Sequence, residues 1–244
     1  MDDRDEAQAS WDRSAAGWIE AVERGDVNRT HLLDAPMLRL TRDVVGRAAL
    51  DVGCGEGRFC RMLAARGARA TGLDPTVPLV ARARALDPVG TYVVGSAEAL
   101  PFGNATFDLV ITYLTLINIP DHRAAITEMA RVLRPGGRLL VANLQSFATT
   151  FPSPWQRDAD GQKTHFAVDD YFPERPNRAA WGGISILNWH RPMQSYMAAY
   201  LEAGLILRAF EEPCPTPEAV AEFPSMRDEA RVPLFHVMAW DRPS

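Results

Sequence analysis

The chain has 244 residues, of which 47% are hydrophobic and 23% are charged, proportions that are ordinary for a globular protein. This composition excludes a disordered chain, a collagen-like chain and a small domain held together by disulfides. The formal net charge of -5 argues against a dedicated nucleic-acid-binding protein, since such proteins carry a surplus of Lys and Arg. The length is sufficient for one large α/β domain or two small domains.

The chemistry of the N-terminus and of the cysteines predicts a cytoplasmic location. The acidic residues 1–6 lack the basic and apolar blocks of a secretory signal. No run approaches the roughly 18 apolar residues that a membrane-spanning helix needs. The three cysteines are an odd number without metal-ligand spacing, so we expect free thiols in a reducing compartment, no metal site and no membrane anchor.

Residues 10–46 carry two helical patterns, and from residue 47 short apolar runs alternate with longer amphipathic ones. Predicted strands cover residues 48–52, 68–73, 91–94, 107–112 and 138–143. Predicted helices cover residues 56–66, 77–86 and 121–133, and the sequence Arg134-Pro135-Gly136-Gly137 is expected to separate the last helix from the next strand. This alternation is typical of a parallel sheet covered by helices on both faces.

Residues 145–190 show no sustained period but contain eight aromatic side chains: Phe147, Phe151, Trp155, Phe166, Tyr171, Phe172, Trp181 and Trp189. A helix over 193–203 and closing strands over 205–210 and 234–240 are predicted after this segment. We expect a single domain, 1–244, with a helical cap over 1–46, a core over 47–144, an insert over 145–190 and a C-terminal part over 191–244.

Three glycines at alternating positions, Gly53, Gly55 and Gly57, lie where the first predicted strand meets the first helix of the core. Glycine permits a tight turn there and lets a ligand approach the backbone closely. Asp74 ends the second predicted strand, and a carboxylate at that place can accept hydrogen bonds from both hydroxyls of a ribose. The alternative is a tight turn beside a solvent-exposed Asp.

The spacing of the glycines argues against a dinucleotide. A dinucleotide fingerprint places its third glycine three residues after the second, whereas here it follows after two. Asp51 precedes the triplet, and a negative group there suits an ammonium and opposes a pyrophosphate. An NAD(P)-dependent oxidoreductase is therefore the less favoured alternative.

In these residues the sequence resembles the class I S-adenosylmethionine-dependent methyltransferases. It is similar above all to the small-molecule branch that includes the ubiquinone/menaquinone-type (methyltransferase type 11) enzymes. The resemblance covers about residues 28–143 and rests on five motifs in the family's order: Asp51-Val52-Gly53-Cys54-Gly55-Glu56-Gly57, Gly72-Leu73-Asp74, Ala97-Glu98-Ala99-Leu100-Pro101-Phe102, Phe107-Asp108-Leu109-Val110 and Arg131-Val132-Leu133-Arg134-Pro135-Gly136-Gly137. It implies an α/β fold with a Rossmann-like, doubly wound, seven-stranded sheet whose last strand is antiparallel, an N-terminal helical cap and a lid insert.

The resemblance implies S-adenosylmethionine as the cofactor and S-adenosylhomocysteine as its product. The residues expected to bind it are Asp51, Gly53, Cys54, Gly55, Gly57, Asp74, Pro75, Ser96, Ala97, Glu98 and Tyr113. Ser96 departs from the Asp that many relatives use for the adenine amino group, although its hydroxyl can still bond there. Tyr113 is equally compatible with a core position at a strand end.

Two residues before the core are further candidates for the cofactor site. Arg29 can pair with the methionine carboxylate in a bidentate arrangement, or it can be an ordinary surface Arg. Trp18, together with Trp11, can place an aromatic face near the sulfonium, where cation–π attraction acts. Both tryptophans also fit the apolar face of a cap helix.

Methyl transfer needs the nucleophile held close and aligned, and an oxygen or nitrogen nucleophile can also need a base. Among the five histidines, His190 follows the aromatic insert and is the first candidate for a base or a substrate-orienting group. His165 within the insert is the second. A structural hydrogen bond of His190 to the lid, and transfer without any essential base, stay open.

The insert carries four basic and five acidic residues, so a basic groove for a nucleic acid is not expected. Its aromatic content favours a small, flat, largely apolar methyl acceptor, with O-, N- or C-methylation left open. A catalytically silent S-adenosylmethionine-binding module is the main alternative. We expect no nucleic-acid or membrane partner, and a monomer or a homodimer.

Overall fold

The structure is a computed structural model that describes residues 3–150 and 155–244, so Phe151 of the aromatic insert lies outside the described residues. The α-helices are α1 (Asp3–Glu23), α2 (Asp34–Leu40), α3 (Arg58–Ala65), α4 (Val77–Leu86), α5 (His122–Val132), α6 (Met193–Glu202) and α7 (Pro217–Glu222). The strands are β1 (Ala48–Val52), β2 (Arg69–Asp74), β3 (Thr91–Val94), β4 (Phe107–Tyr113), β5 (Leu133–Leu144), β6 (Trp155–Arg157), β7 (Lys163–Phe166), β8 (Arg175–Trp181), β9 (Ile184–His190), β10 (Ile206–Glu211) and β11 (Phe235–Asp241).

The seven-stranded sheet has the order β10-β11-β5-β4-β1-β2-β3. The strands β1 to β5 pair in parallel, and β11 runs antiparallel to both of its neighbours, β5 and β10. The expected Rossmann-like sheet with an antiparallel last strand is thus confirmed. Two apolar clusters cover its faces, one around Val110 and Trp240 and the other around Ile111 and Phe59.

The boundary between α5 and β5 differs from the prediction. We expected the Pro135-Gly136 sequence to separate helix and strand, but β5 begins at Leu133 and runs through it. The register against β4 shifts between Phe107 and Leu109, so a bulge accommodates these residues. Pro and Gly are tolerated in a strand at such an irregularity.

The aromatic insert contains secondary structure that its sequence pattern did not reveal. Strands β6 and β7 form one antiparallel hairpin, and β8 and β9 form another. Helix α1 lies against β9, where Ser14 accepts a hydrogen bond from the Ser185 amide (3.0 Å) and Ser10 accepts one from the Leu187 amide (3.1 Å). Serine hydroxyls of the N-terminal cap therefore bind the insert through its backbone amides.

None of the described helices is long and apolar enough to cross a bilayer. Within residues 3–150 and 155–244 there is no group of three or more His, Cys, Asp or Glu side chains arranged to hold a metal ion. The three cysteines are free thiols, with Cys54 and Cys60 buried and Cys214 exposed. The division of the single domain into cap, core and insert stays a prediction.

Candidate functional site

The loop after β1 is built by its contact with the end of β2. The amides of Gly53 and Cys54 both donate hydrogen bonds to the Leu73 carbonyl, at 2.7 and 3.0 Å. Because β1 and β2 are parallel, their carboxyl ends meet at one edge of the sheet, where ligands bind in open α/β folds. Asp51 and Asp74, near the ends of these strands, are therefore neighbours of the same loop.

The glycines of this loop have different roles. All three have positive φ, which a residue with a side chain adopts only at a cost. A Cβ on Gly55 would meet Trp18 Nε1 at 3.5 Å as its nearest atom, so the space above this backbone is open toward the cap. A Cβ on Gly57 would lie 2.6 Å from the Tyr92 ring, so Gly57 is needed for packing.

Asp74 is buried and its carboxylate ties the loop together. Its Oδ2 accepts a hydrogen bond from the Gly55 amide (2.9 Å) and its Oδ1 accepts one from the Thr76 amide (2.8 Å). Burial raises the pKa of Asp74, while these two amides act in the opposite direction. Each carboxylate oxygen retains a second lone pair, so the group can still accept hydrogen bonds from a ligand.

Asp51 is buried and only partly satisfied. The Cys60 thiol lies 3.6 Å from its Oδ2, while its Oδ1 has no hydrogen-bond partner within the described part of the chain. Burial raises the pKa of Asp51 to about 7, with smaller contributions from the neighbouring Glu56 and Asp74 carboxylates. A buried carboxylate oxygen without a donor is costly, so this group is prepared for a donor that a ligand brings.

The first cavity has a volume of about 320 Å³ and lies between this loop and α1. Its lining includes most of the predicted cofactor residues: Trp18, Arg29, Asp51, Gly53, Cys54, Gly55, Asp74, Pro75, Ser96, Ala97, Glu98 and Tyr113. Gly57 is absent from this lining and belongs to the turn behind it. The structure thus places twelve of the thirteen predicted cofactor residues at one cavity. Their role in binding stays a prediction.

Arg29 lies at the inner wall of this cavity rather than on the surface. It begins a π-helical turn, Arg29–Leu33, and its guanidinium carbon lies 4.8 Å from the Trp18 ring centroid and 5.3 Å from that of Tyr113. The Arg29 Nε has no hydrogen-bond partner among the described residues, and Asp26 Oδ2 is 3.4 Å away. The alternative of an ordinary surface Arg is therefore wrong.

Asp34 holds two side chains of the same cavity wall, those of Tyr113 and Arg58. Its carboxylate accepts the Tyr113 hydroxyl at 2.9 Å and receives both terminal nitrogens of Arg58. Burial and this carboxylate raise the pKa of Tyr113, so the phenol stays protonated. Tyr113 therefore has its ring against Arg29 and its hydroxyl fixed to Asp34.

The second cavity, of about 510 Å³, adjoins the first. Both cavities share five lining residues: Trp11, Trp18, Arg29, Leu114 and Asn118. The walls that the second cavity does not share include Trp181, Ile186 and Asn188 of the β8–β9 hairpin and Glu229 near the C-terminus. The Asn118 and Asn188 amides lie 2.6 Å apart and join the core to the insert.

The structure does not bring the predicted catalytic histidines to either cavity. His190 is completely buried, its Nε2 lies 2.7 Å from the Tyr171 carbonyl oxygen, and its Nδ1 lies 2.7 Å from the Thr149 hydroxyl. Burial lowers the pKa of His190, and Nε2 is the donor in its bond to the Tyr171 carbonyl, because a carbonyl oxygen only accepts. His165 is an exposed residue of β7. No histidine lines either cavity within the described residues.

Several cavity residues had no sequence signal, among them the polar residues Asn118, Asn188 and Glu229. Asn118 ends a short 3-10 helix after the apolar strand β4, Asn188 lies in a hairpin that the pattern did not indicate, and Glu229 lies between α7 and β11. Only the packing of these segments against one another places them at one cavity.

The residues of the first cavity fit an adenosyl amino acid. The unpaired Asp51 Oδ1 offers an acceptor for an ammonium, the open backbone at Gly55 allows close approach, and Arg29 offers a cation for a carboxylate. The carboxylates of Asp51, Glu56 and Asp74 lie beside the glycine loop at this cavity, and their charge there opposes a pyrophosphate.

Comparison with known families gives a match to a family model described as "Methyltransferase domain" over residues 50–141. The chain is 39% identical over 101 residues to a malonyl-[acyl-carrier protein] O-methyltransferase from Erwinia billingiae, a match that covers 41% of this chain and 40% of that protein. It is 33% identical over 150 residues to an uncharacterized methyltransferase from Synechocystis, covering 61% of this chain and 67% of that protein. The chain thus spans between two fifths and two thirds of the length of these two curated relatives.

Among solved structures, the chain is similar to an S-adenosylmethionine dependent methyltransferase from Mesorhizobium loti. The TM-score is 0.79 at 27% sequence identity, and the match covers 90% of this chain and 99% of the other. The likeness therefore extends well beyond residues 50–141.

Proposed function

This chain belongs to the S-adenosylmethionine-dependent methyltransferases, and we propose that it transfers a methyl group to a small, flat, largely apolar molecule. The observation that carries the proposal is the pair Asp51 and Asp74, two buried carboxylates near the ends of adjacent parallel strands that line the same cavity. The second cavity, which shares five lining residues with the first, gives the acceptor a place beside it.

The cofactor residues follow from the lining of the first cavity. Asp74 accepts hydrogen bonds from ribose hydroxyls, Asp51 accepts the ammonium, and Arg29 holds the carboxylate. Ser96 and Ala97 line the side where the resemblance places adenine. When bound, S-adenosylmethionine supplies a methyl group activated by a sulfonium.

The protein's contribution to the transfer is alignment and exclusion of water. Helix α1 lines both cavities, the β8–β9 hairpin lines the second, and Trp18 belongs to the wall that the two cavities share. Proximity of two aligned reactants accounts for a large part of the rate in such displacements. Because no histidine lines either cavity within the described residues, catalysis by position is favoured over an imidazole base.

The alternatives differ in what they bind. An NAD(P) oxidoreductase is disfavoured, since four carboxylates line the cavity and three of them, Asp51, Glu56 and Asp74, lie beside the glycine loop where a pyrophosphate would lie. A silent cofactor-binding module would leave the second cavity without a role, although its 510 Å³ suits a small molecule. We further propose that the protein works in the cytoplasm, because its three cysteines are free thiols, and acts on a small molecule rather than a nucleic acid, as a monomer or a homodimer.

Calorimetric titration of the purified chain tests the proposal at the level of binding. S-adenosylmethionine and S-adenosylhomocysteine are expected to bind and NADH is not. A second experiment incubates the protein with S-adenosylmethionine carrying a labelled methyl group and a metabolite extract, and follows the label by mass spectrometry. Binding of NADH alone contradicts the family assignment, while cofactor binding without labelled product supports the silent module.

A further inference from the structure

Glu229 lies in the wall of the second cavity, and its carboxyl group is not fully paired with other groups of the protein. Its side chain is partly exposed, yet its Oε2 is buried and has no hydrogen-bond partner within the described residues. The Asn28 side chain, which lines the same cavity, is near the Glu229 carboxyl group and acts to lower its pKa. The carboxyl group therefore turns inward from a partly exposed backbone position.

The chain around Glu229 is held in place by its contacts with the β6–β7 hairpin. Asp228 forms an ion pair with Lys163, and Arg231 donates hydrogen bonds to the carbonyls of Lys163 (3.0 Å) and Thr164 (2.8 Å). The Arg231 guanidinium also lies 4.5 Å from the Trp155 ring centroid. These contacts on both sides of Glu229 fix its backbone beneath the insert.

The other charges of the second cavity are compensated. Arg29 lies 3.4 Å from Asp26, and Arg24 lies 3.7 Å from Glu20 on the surface. Lys163, a cation near Glu229, is already paired with Asp228. Burial raises the pKa of Glu229, and the neighbouring Asp228 adds to this shift. Two buried side-chain polar atoms of this cavity thus lack a hydrogen-bond partner within the described residues, the Arg29 Nε and the Glu229 Oε2, and of these only the Glu229 oxygen is an acceptor.

The remaining wall is apolar and aromatic: Trp11, Trp18, Val22, Val27, Leu114, Ile117, Leu144, Trp181, Ile186 and Phe235. Aromatic walls of this kind suit a flat molecule, which can bury its faces against them. A ligand that fills the cavity meets this wall on most sides and a carboxyl group at one place.

We propose that Glu229 determines which methyl acceptor the second cavity takes, by accepting a hydrogen bond from an O–H or N–H group on a flat apolar ring and by rejecting an anionic group there. This inference rests on the proposed function, because it assigns the second cavity to the acceptor. A donor gives the buried Oε2 the partner it lacks, whereas a carboxylate would bury two like charges together.

Three probes of one ring system test this selectivity: 2-naphthol, 2-naphthylmethylamine and 2-naphthoate. Their dissociation constants are measured through tryptophan fluorescence, with and without saturating S-adenosylhomocysteine. The wild-type protein is expected to bind the two donor probes at least about tenfold more tightly than 2-naphthoate. In Glu229→Gln the side chain is neutral and carries both a donor and an acceptor. The preference for the donor probes over 2-naphthoate is therefore expected to fall to between about onefold and threefold.

The matched control is Glu222→Gln, an exposed carboxylate at the end of α7, which should leave the ratio unchanged. Thermal unfolding and the affinity for S-adenosylhomocysteine show that both variants are folded. The proposal is overturned by equal binding of 2-naphthoate in the wild type, by an unchanged ratio in Glu229→Gln, or by failure of all three probes to bind. If the wild-type protein does not bind S-adenosylhomocysteine, the proposed function is contradicted. The proposal on Glu229 is then still tested, because the titrations without nucleoside report on Glu229.

Discussion

The Arg29 guanidinium carbon lies 4.8 Å from the centroid of the Trp18 ring, where the first and second cavities meet. This contact joins the π-helical turn Arg29–Leu33 to the cap helix α1, two segments that both precede the sheet in the sequence. A π-helical turn is rare and frequently marks a functional position. The contact places a cation and an aromatic face at the boundary between the two proposed ligands.

Arg29→Ala is expected to weaken binding of S-adenosylhomocysteine about tenfold or more, because the ligand carboxylate loses a buried cation. Arg29→Lys should recover only part of this loss, since an ammonium cannot form the bidentate pair or the same stacking. Calorimetric titration measures both. Arg24→Ala, which removes an exposed guanidinium at the edge of the second cavity, is the control and should bind like the wild type. Equal affinity of Arg29→Ala and the wild type would remove Arg29 from the site.

Asp74→Ala should weaken the binding of S-adenosylhomocysteine by about 1–3 kcal/mol, the usual cost of unpairing hydrogen-bonded groups. The same calorimetric titration measures this change. The structure adds a second consequence, because the Gly55 and Thr76 amides lose their acceptor. Asp74→Asn keeps one acceptor oxygen and is expected to fall between the wild type and Asp74→Ala. Unchanged affinity in both variants would contradict the ribose role.

Binding at neutral pH should release protons from Asp51. Its pKa of about 7 means that the free protein holds about half a proton on this group at pH 7, and an incoming ammonium favours the carboxylate. Calorimetry in two buffers of different ionisation enthalpy measures this release. Asp51→Asn should abolish it, and an identical apparent enthalpy in both buffers for the wild type would contradict the assignment.

The same group makes the ligand-free protein less stable as the pH rises. The folded pKa of about 7 lies above the ordinary value of 3.8, so the folded state binds the Asp51 proton more tightly than the unfolded state does. This contribution favours folding below pH 4 and is lost progressively between about pH 4 and 7, with a slope of at most about 1.4 kcal/mol per pH unit. Denaturant unfolding of the wild type and Asp51→Asn across this range isolates the Asp51 contribution as the difference between the two slopes.

Substitutions at two glycines of the loop should differ in their effects on ligand binding and on stability. Gly55→Ala is expected to cost about 1 kcal/mol of stability through its positive φ, and to weaken nucleoside binding because the new methyl group occupies the open space toward Trp18. Gly57→Ala adds an overlap with the Tyr92 ring to the same backbone cost, so its stability loss should be larger, about 2–4 kcal/mol. Denaturation midpoints compare the two, and the reverse order would contradict this reading of the loop.

His190→Ala should lower the stability by about 1–3 kcal/mol and leave nucleoside affinity close to that of the wild type. The reason is the loss of the buried contacts to the Tyr171 carbonyl and the Thr149 hydroxyl, which hold the insert. His165→Ala, at an exposed position of the same insert, is the control and should unfold like the wild type. A His190→Ala protein of unchanged stability but abolished methyl transfer would return His190 to the chemistry.

The sequence alone was sufficient for the sheet core and for the first cavity. The signals that predicted them are local: apolar runs set the strands, glycines set the turn after β1, and Asp51 and Asp74 lie near the ends of their strands. Once two neighbouring strands are parallel, their carboxyl ends share one edge, so local patterns also place these residues together.

Only the tertiary structure determined where the second cavity forms and where the predicted catalytic histidines lie. The β8–β9 hairpin has no clear alternation, because its residues face α1, other parts of the insert and solvent in turn. His190 is buried by contacts with residues 19 and 41 positions away, and Glu229 reaches the cavity only because its neighbours are tied to β7. Such placement depends on which distant segments pack together, and the burial of a polar side chain, unlike strand formation, has no signal in a short stretch of sequence.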